Sequence, residues 1–188
     1  TAVGQAMNIN MGPEKPADLG AMWQEIRDGE FPQHVCLHAI CPTVFDPLQA
    51  PRPKHSASLF MPVPYQLKGK RPEDWIKLKN DFMEKILRIW RRYATNLTDD
   101  NIEMKVAMDP FYISGRWPNM RRGSVWVARK IAKQMGTNRP LEELSGYPTP
   151  IEGLYQVGVA THPADAVIAG SGCNCWQVIK EDLKLEIK

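Results

Sequence analysis

Proline is the residue that most constrains the fold of this chain. Sixteen of the 188 residues are proline, and they are spread along the whole sequence. Proline lacks a backbone N–H group, so it disrupts the interior of a helix and the interior of a sheet. This distribution excludes a compact bundle of long helices and a plain repeat of strands and helices. It predicts a mixed α/β (α+β) fold in which short strands and turns surround a few helices.

The composition excludes several classes of protein. Apolar residues make up 43% and charged residues 24% of the chain, which excludes a disordered or low-complexity protein. The net charge of +3 is too small to indicate nucleic-acid binding. No apolar run approaches the roughly 20 residues of a membrane span, and the sequence TAVGQAMNIN at the start lacks the features of a signal peptide. We therefore expect a cytoplasmic protein with four reduced cysteines.

Hydrophobic periodicity predicts where the main elements lie. The apolar spacing predicts helices over 16–30 and 72–94, where Pro16 and Pro72 suit the first helical position. Alternating apolar residues predict short strands before each of three prolines. The predicted strands cover 34–41, 56–61 and 100–108, and a loop followed by a helix is predicted over 116–135.

The sequence changes character at Gly153. A short apolar run over 154–159 predicts a strand containing Gly158, and residues 164–183 predict a helix whose first half is mostly Ala, Gly and Ser. Each glycine inside a helix costs about 1 kcal/mol relative to alanine, which indicates close approach of the backbone to another body. Free N–H groups at a helix start suit an anionic or polarised ligand. The segment is either a cofactor-contact element or a tightly packed helix and strand without a ligand.

This segment resembles the C-terminal signature of the phytoene desaturase-like FAD-dependent oxidoreductases, an amine-oxidase-like fold family of carotenoid and retinoid type. The usual form is GLYLCGxxTHPGGGVxGAxGxNAA. Shorter stretches at 46–51, 93–97, 139–140 and 149–151 resemble the family's DPxxAP, YAPNL, RP and TPI, in the family's order. The residues that match the signature are Gly153, Leu154, Tyr155, Gly158, Thr161, His162, Pro163, Val167, Gly172 and Asn174.

The resemblance implies that the chain contains parts of two domains. Residues 1–148 would form part of a substrate-binding domain, and residues 149–188 would be the last strand and helix of a Rossmann-like FAD-binding domain. It implies FAD as the cofactor, with Gly158 and Val159 beside its ribityl–pyrophosphate portion. A helix start stabilises the negative charge of a reduced flavin. The residues implied to lie near the flavin C2 carbonyl are Ala166, Val167 and Ile168.

The chain departs from the signature where the family carries three glycines. Residues 164–166 read Ala-Asp-Ala, so Asp165 is a candidate catalytic proton acceptor or, alternatively, a helix cap. His162 is a second candidate, as a general acid or base or as a residue that shapes the turn. Tyr112 and Trp117 are candidates for lining an apolar substrate cavity, although most aromatic residues belong to a core.

One motif that FAD binding requires does not occur in the sequence. The chain contains no GxGxxG, the motif that holds the ADP half of a dinucleotide. The resemblance therefore implies that a second polypeptide carries the GxGxxG half, or that the rest of the enzyme was removed.

Three interpretations follow. The leading one is a subunit or fragment of an FAD-dependent oxidoreductase that dehydrogenates an apolar or aromatic substrate by hydride transfer to flavin. The second is a non-catalytic structural or regulatory partner that retains the fold. The third is a metal-binding module formed by His34, Cys36 and His38, but their alternate spacing is unlike the usual zinc pattern, so we predict no metal.

Overall fold

The structure is a computed structural model that describes residues 6–127, 129–164 and 169–186. Within these ranges three strands form one antiparallel sheet, accompanied by four α-helices and a series of single-turn 3-10 helices. The predicted mixed α/β class is therefore confirmed. The described helices include none that is long and apolar enough to cross a bilayer. The chain forms two compact units, Thr1–Tyr112 and Ile113–Lys188, and each is described by itself below.

The first unit is built on a three-stranded sheet. The strands are β1 (Asn8–Met11), β2 (Leu37–Ile40) and β3 (Ser58–Phe60), with β2 in the centre and both pairs antiparallel. The register places Ala39 opposite both Ile9 and Leu59. Leu37 and Ala39 alternate with half-exposed neighbours, so one face of β2 is buried. The strands predicted over 34–41 and 56–61 are confirmed, whereas β1 was not predicted.

Two helices complete this unit, α1 (Pro16–Arg27) and α2 (Trp75–Trp90). A 3-10 turn at Pro72–Asp74 precedes α2, and the Asp74 carboxylate accepts a hydrogen bond from the Arg71 amide at 2.9 Å. Ile86 of α2 packs in the buried core of the sheet. The predicted helices over 16–30 and 72–94 are confirmed. The other core residues are Met11, Val35, Leu37 and Ala39, bordered by Ile9, Leu59, Met61, Phe82, Ile89 and Trp90.

Two backbone segments of the first unit, at Gly12 and at Val35, approach each other closely beside the sheet. Gly12 has φ +121°, and a Cβ atom at this position would lie 1.7 Å from the Val35 carbonyl oxygen. A glycine is therefore required where the chain leaves β1.

The predicted strand over 100–108 is wrong for this chain. A 3-10 turn occupies Asp99–Asn101, and the residues up to Asp109 have no regular secondary structure. A strand requires hydrogen bonds to a neighbouring strand, and no described strand lies alongside this segment.

The second unit contains little regular structure before its final helix. The helix α3 (Pro110–Arg116) lies at the boundary of the units, and α4 (Gly170–Asp182) lies near the C-terminus. The helix predicted within 116–135 is wrong, because the described part of this segment forms only 3-10 turns, at Arg121–Gly123 and Ala132–Gln134. Arg122 and Val127 have φ of 55° and 60°, and left-handed residues interrupt a right-handed helix.

The two predicted elements of the C-terminal segment also differ from the structure. Residues 154–159 form turns and one isolated bridge between Pro148 and Tyr155, because Gly153 and Gly158 both have positive φ. The helix starts at Gly170 rather than at 164, because Ala169 has the left-handed φ of 56°.

Candidate functional site

The segment that carries the signature begins as a folded-back turn in the second unit. We call residues 153–164 the signature loop. The Gln156 amide donates to the Tyr147 carbonyl at 2.8 Å, and the Thr149 amide donates to the Leu154 carbonyl at 3.0 Å. Tyr147 itself has φ 79°, which reverses the chain at this point. These bonds fix the course of the backbone that leads into Gly158.

Gly158 presents bare backbone at the centre of the signature loop. Its φ is +140°, a conformation that side chains rarely adopt, and among the described residues no atom beyond its two chain neighbours lies within 4 Å of where a Cβ would stand. The Gly158 carbonyl accepts bonds from the amide and the hydroxyl of Thr161, at 3.0 and 2.8 Å. Thr161 is fully buried, so its two bonds hold the Gly158 carbonyl from the interior side of the loop. A rigid backbone with open space beside a glycine suits close approach of a ligand.

A buried arginine holds the next residue of the loop. Arg139 is fully buried, and its Nη2 donates to the Val159 carbonyl at 2.7 Å. Its Nη1 donates to the carbonyls of Arg129 and Gln134, at 3.2 and 3.1 Å. The Nε atom is buried without a hydrogen-bond partner, and no carboxylate of the described residues pairs with the guanidinium. This positive charge therefore depends on backbone dipoles.

Arg139 is a residue of this candidate site to which the sequence assigned no role. Its only signal was the Arg-Pro pair at 139–140 that resembles the family's RP. The contact with Val159 joins residues 20 positions apart, and such a contact has no local sequence pattern.

His162 is brought into the same loop as Gly158 and Val159. Its side chain is exposed, while its carbonyl accepts a hydrogen bond from the buried Tyr147 hydroxyl at 2.9 Å. The backbone role in shaping the turn is therefore visible in this contact. The catalytic role of the His162 imidazole stays a prediction. The other predicted residues of this part of the site, Asp165, Ala166, Val167 and Ile168, lie outside the described residues.

Helix α4 follows the signature loop and is tied to it at its far end. The Tyr155 hydroxyl donates to an Asp182 carboxylate oxygen at 2.9 Å, and this bond raises the pKa of Tyr155. Cys175 is buried in the helix, and burial raises the pKa of its thiol, so the neutral thiol is favoured there. Cys173 is exposed, so the two thiols lie on different faces of α4.

The two predicted substrate-binding aromatics lie in different units. Tyr112 is the last residue of the first unit. Its amide donates to an Asp109 carboxylate oxygen at 2.7 Å, and the Lys79 ammonium lies 5.9 Å from its ring centroid. Trp117 belongs to the second unit, with the Arg116 guanidinium 5.6 Å from its ring centroid. Both side chains are partly exposed. Their role in substrate binding stays a prediction.

The two histidines of the alternative metal site make hydrogen bonds to other residues of the first unit. His34 Nδ1 bonds to Glu25 at 2.9 Å, and His38 Nδ1 bonds to Asn10 at 3.0 Å. Among residues 6–127, 129–164 and 169–186 no group of three His, Cys, Asp or Glu side chains could hold a metal ion.

Comparison with known proteins gives distant relatives and no family model. The chain is 28% identical to a limonene dehydrogenase subunit of Castellaniella defragrans, over 99% of this chain and 34% of the relative. It is 26% identical to pyridine nucleotide-disulfide oxidoreductase domain-containing protein 2 of Rattus norvegicus and of Mus musculus, over 94% of this chain and 30% of each relative. No family model and no solved structure matches the chain.

The chain spans about a third of the length of these curated relatives. The similarity extends over almost the whole of the chain, so it includes the signature loop as well as the sheet of the first unit. The chain is therefore similar, over nearly all its residues, to parts of proteins that are named as oxidoreductases.

Proposed function

We propose that this chain is a subunit or fragment of an FAD-dependent oxidoreductase of phytoene desaturase-like type. The observation that carries the proposal is the signature loop, in which an open glycine with φ +140° is followed by a backbone carbonyl held by a buried arginine. The similarity to a dehydrogenase subunit and to a pyridine nucleotide-disulfide oxidoreductase domain protein supports the same class of enzyme.

The residues of the signature loop fit one side of a flavin site. Gly158 and Val159 would lie beside the ribityl–pyrophosphate portion, where a side chain at position 158 would enter the open space. When bound, FAD would accept a hydride from the substrate. Ala166, Val167 and Ile168 would face the flavin C2 carbonyl, while His162 and Asp165 would accept or donate protons close to it. We assign residues 149–188 to the FAD-binding domain and residues 1–148 to the substrate-binding domain.

A second polypeptide would complete the cofactor site. The chain has no GxGxxG motif, and FAD binding in a dinucleotide fold depends on that motif. One relative is named as a subunit, which supports a heteromeric enzyme. We place this enzyme in the cytoplasm, in keeping with the free thiols of Cys36, Cys41, Cys173 and Cys175.

The substrate we propose is an apolar organic molecule. A relative is named for limonene, a hydrocarbon without ionisable groups. Tyr112 and Trp117 are the side chains that we assign to contacts with such a substrate, since aromatic residues commonly line apolar pockets.

Co-expression with the polypeptide that carries GxGxxG tests this function. We expect a purified complex with visible flavin absorbance, and anaerobic addition of limonene or another terpene should bleach that absorbance. His162→Ala should slow the bleaching while the flavin content stays unchanged. A complex of the two polypeptides without any flavin absorbance would overturn the proposal.

The alternative is a non-catalytic partner that retains the fold. It is favoured by Ala164, which is fully buried with φ 71° at a position where the family carries glycine. If His162→Ala and Asp165→Ala both left the turnover of the flavin-loaded complex unchanged, this scaffold function would be preferred.

A further inference from the structure

The segment 102–108 of the first unit has the sequence pattern of a strand but no strand partner. Its sequence, IEMKVAM, carries an apolar residue at every even position. Met104, Val106 and Met108 are 79%, 69% and 61% exposed. Three large apolar side chains at alternate positions form one exposed face, which soluble proteins normally cover.

The charged residues between them attach the segment to its own unit. Glu103 accepts from Lys54 Nζ at 2.7 Å, and Lys105 pairs with Glu84 of α2. Lys105 also lies 4.0 Å from Asp99. Glu103 and Lys105 therefore form ion pairs with the rest of the first unit, while the side chains of Met104 and Val106 are exposed to solvent. This alternation is the two-residue period of a strand.

The backbone of the segment is unpaired among the described residues. The Ile102 amide donates to the Asp99 carbonyl at 3.3 Å, and the next bond along the chain is that of the Tyr112 amide to Asp109. No N–H or C=O group of residues 103–108 makes a hydrogen bond within the part of the chain that the structure describes. Exposed backbone groups of this kind are a template for a strand from another chain.

We propose that residues 102–108 pair with a β-strand of the polypeptide that carries the rest of the enzyme. The partner strand would present apolar residues to Met104, Val106 and Met108 and would bond to the free amides and carbonyls between them. About two thirds of the limonene dehydrogenase relative lies outside the part that matches this chain, which leaves ample chain to supply a strand. The identity of the partner rests on the proposed function, whereas the edge itself rests on the contacts above.

Hydrogen–deuterium exchange tests the pairing without any substitution. The amides of residues 103–108 should exchange fast in the isolated chain and slow by about tenfold or more in the co-expressed complex. Unprotected amides in a complex that contains flavin would overturn the pairing and leave the proposed function intact. Protected amides in a complex without flavin would support the pairing, while the proposed function would fail.

Substitutions separate this edge from other exposed apolar residues. Met104→Asp with Val106→Asp should weaken the complex, because two carboxylates would face the apolar side of the partner strand. The matched control is Leu48→Asp, which changes a side chain that is 94% exposed in another turn of the same unit and should leave the complex intact. If the isolated chain formed a dimer through protected 103–108 amides, the occupant would be a second copy and the proposal would be wrong.

Discussion

At the scale of single residues, Arg139 holds the backbone of the signature loop through its hydrogen bond to the Val159 carbonyl. Its guanidinium binds three backbone carbonyls from three parts of the second unit, and it has no acidic partner among the described residues. Replacing it removes the donor to three part-buried carbonyl groups. A buried polar group left without its partner costs about 1–3 kcal/mol.

We therefore expect Arg139→Ala to lower the free energy of unfolding by about 2–4 kcal/mol, measured by chemical denaturation. Arg121→Ala is the control, because Arg121 is exposed in the same unit and should change stability by less than about 0.5 kcal/mol. Equal stabilities of the two variants would contradict the role assigned to Arg139.

Gly12 is the second residue whose identity the structure fixes. An alanine Cβ would overlap the Val35 carbonyl, and φ +121° is strained for any side chain. Gly12→Ala should destabilise the chain by about 2 kcal/mol or more, measured by thermal or chemical unfolding. Gly20→Ala should instead stabilise it by about 0.5–1 kcal/mol, since Gly20 lies within α1 with open space around it. A Gly12→Ala variant as stable as the wild type would rule out the close approach.

The sequence predicted some of these residues and not others. Gly158 and His162 were predicted because the signature fixes their spacing, and the structure places both in one loop. Their roles at a flavin site stay predictions. Arg139 was not assigned a role, because its contacts with Val159 and Arg129 join distant positions. The requirement for Gly12 also depends on a backbone segment, at Val35, that is far along the chain.

At the scale of elements, a carboxylate joins α1 to the segment that leads into β2. Glu25 of α1 accepts hydrogen bonds from the Gln33 amide at 2.8 Å and the His34 amide at 3.2 Å, and its second oxygen bonds to the His34 ring. Partial burial raises the pKa of Glu25, but these hydrogen bonds outweigh it, so the pKa lies below its usual value of 4.5.

This shift predicts how stability depends on pH. A lowered carboxyl pKa contributes stability above the unfolded value of 4.5, and that contribution is lost as the pH falls through the lower folded value. Unfolding measured from about pH 7 to about pH 3 should show wild type more stable than Glu25→Gln at neutral pH, with the difference shrinking below pH 4.5. A difference that stays constant over this range would contradict the ionised contact.

The elements predicted correctly are those whose sequence signals lie within the element itself. Helices α1 and α2 form where the apolar period and an initial proline coincide, so their sequences contain enough information. The segment 100–108 has the alternation of a strand, but strand formation also requires a neighbour, which the described chain does not provide. The start of α4 depends on the left-handed Ala169, a conformation that alanine does not favour and that its sequence does not reveal.

At the scale of the whole molecule, several features support the proposal that the chain is one part of a larger enzyme. It matches about a third of each relative, and it contains no GxGxxG motif. Its first unit exposes the unpaired apolar edge at 102–108. Its second unit holds the signature loop, with open backbone at Gly158. These are the features on which we base the proposal that the chain completes a cofactor site with a partner.

The most direct test is the dissociation constant of FAD for the GxGxxG-carrying polypeptide, measured with and without this chain by titration of flavin fluorescence. If Gly158, Val159 and the following helix complete the flavin site, FAD should bind about tenfold or more tightly to the complex than to the partner alone. The complex with Arg139→Ala should fall between these two values, since that change frees the Val159 carbonyl. Equal FAD affinities with and without this chain would contradict the account.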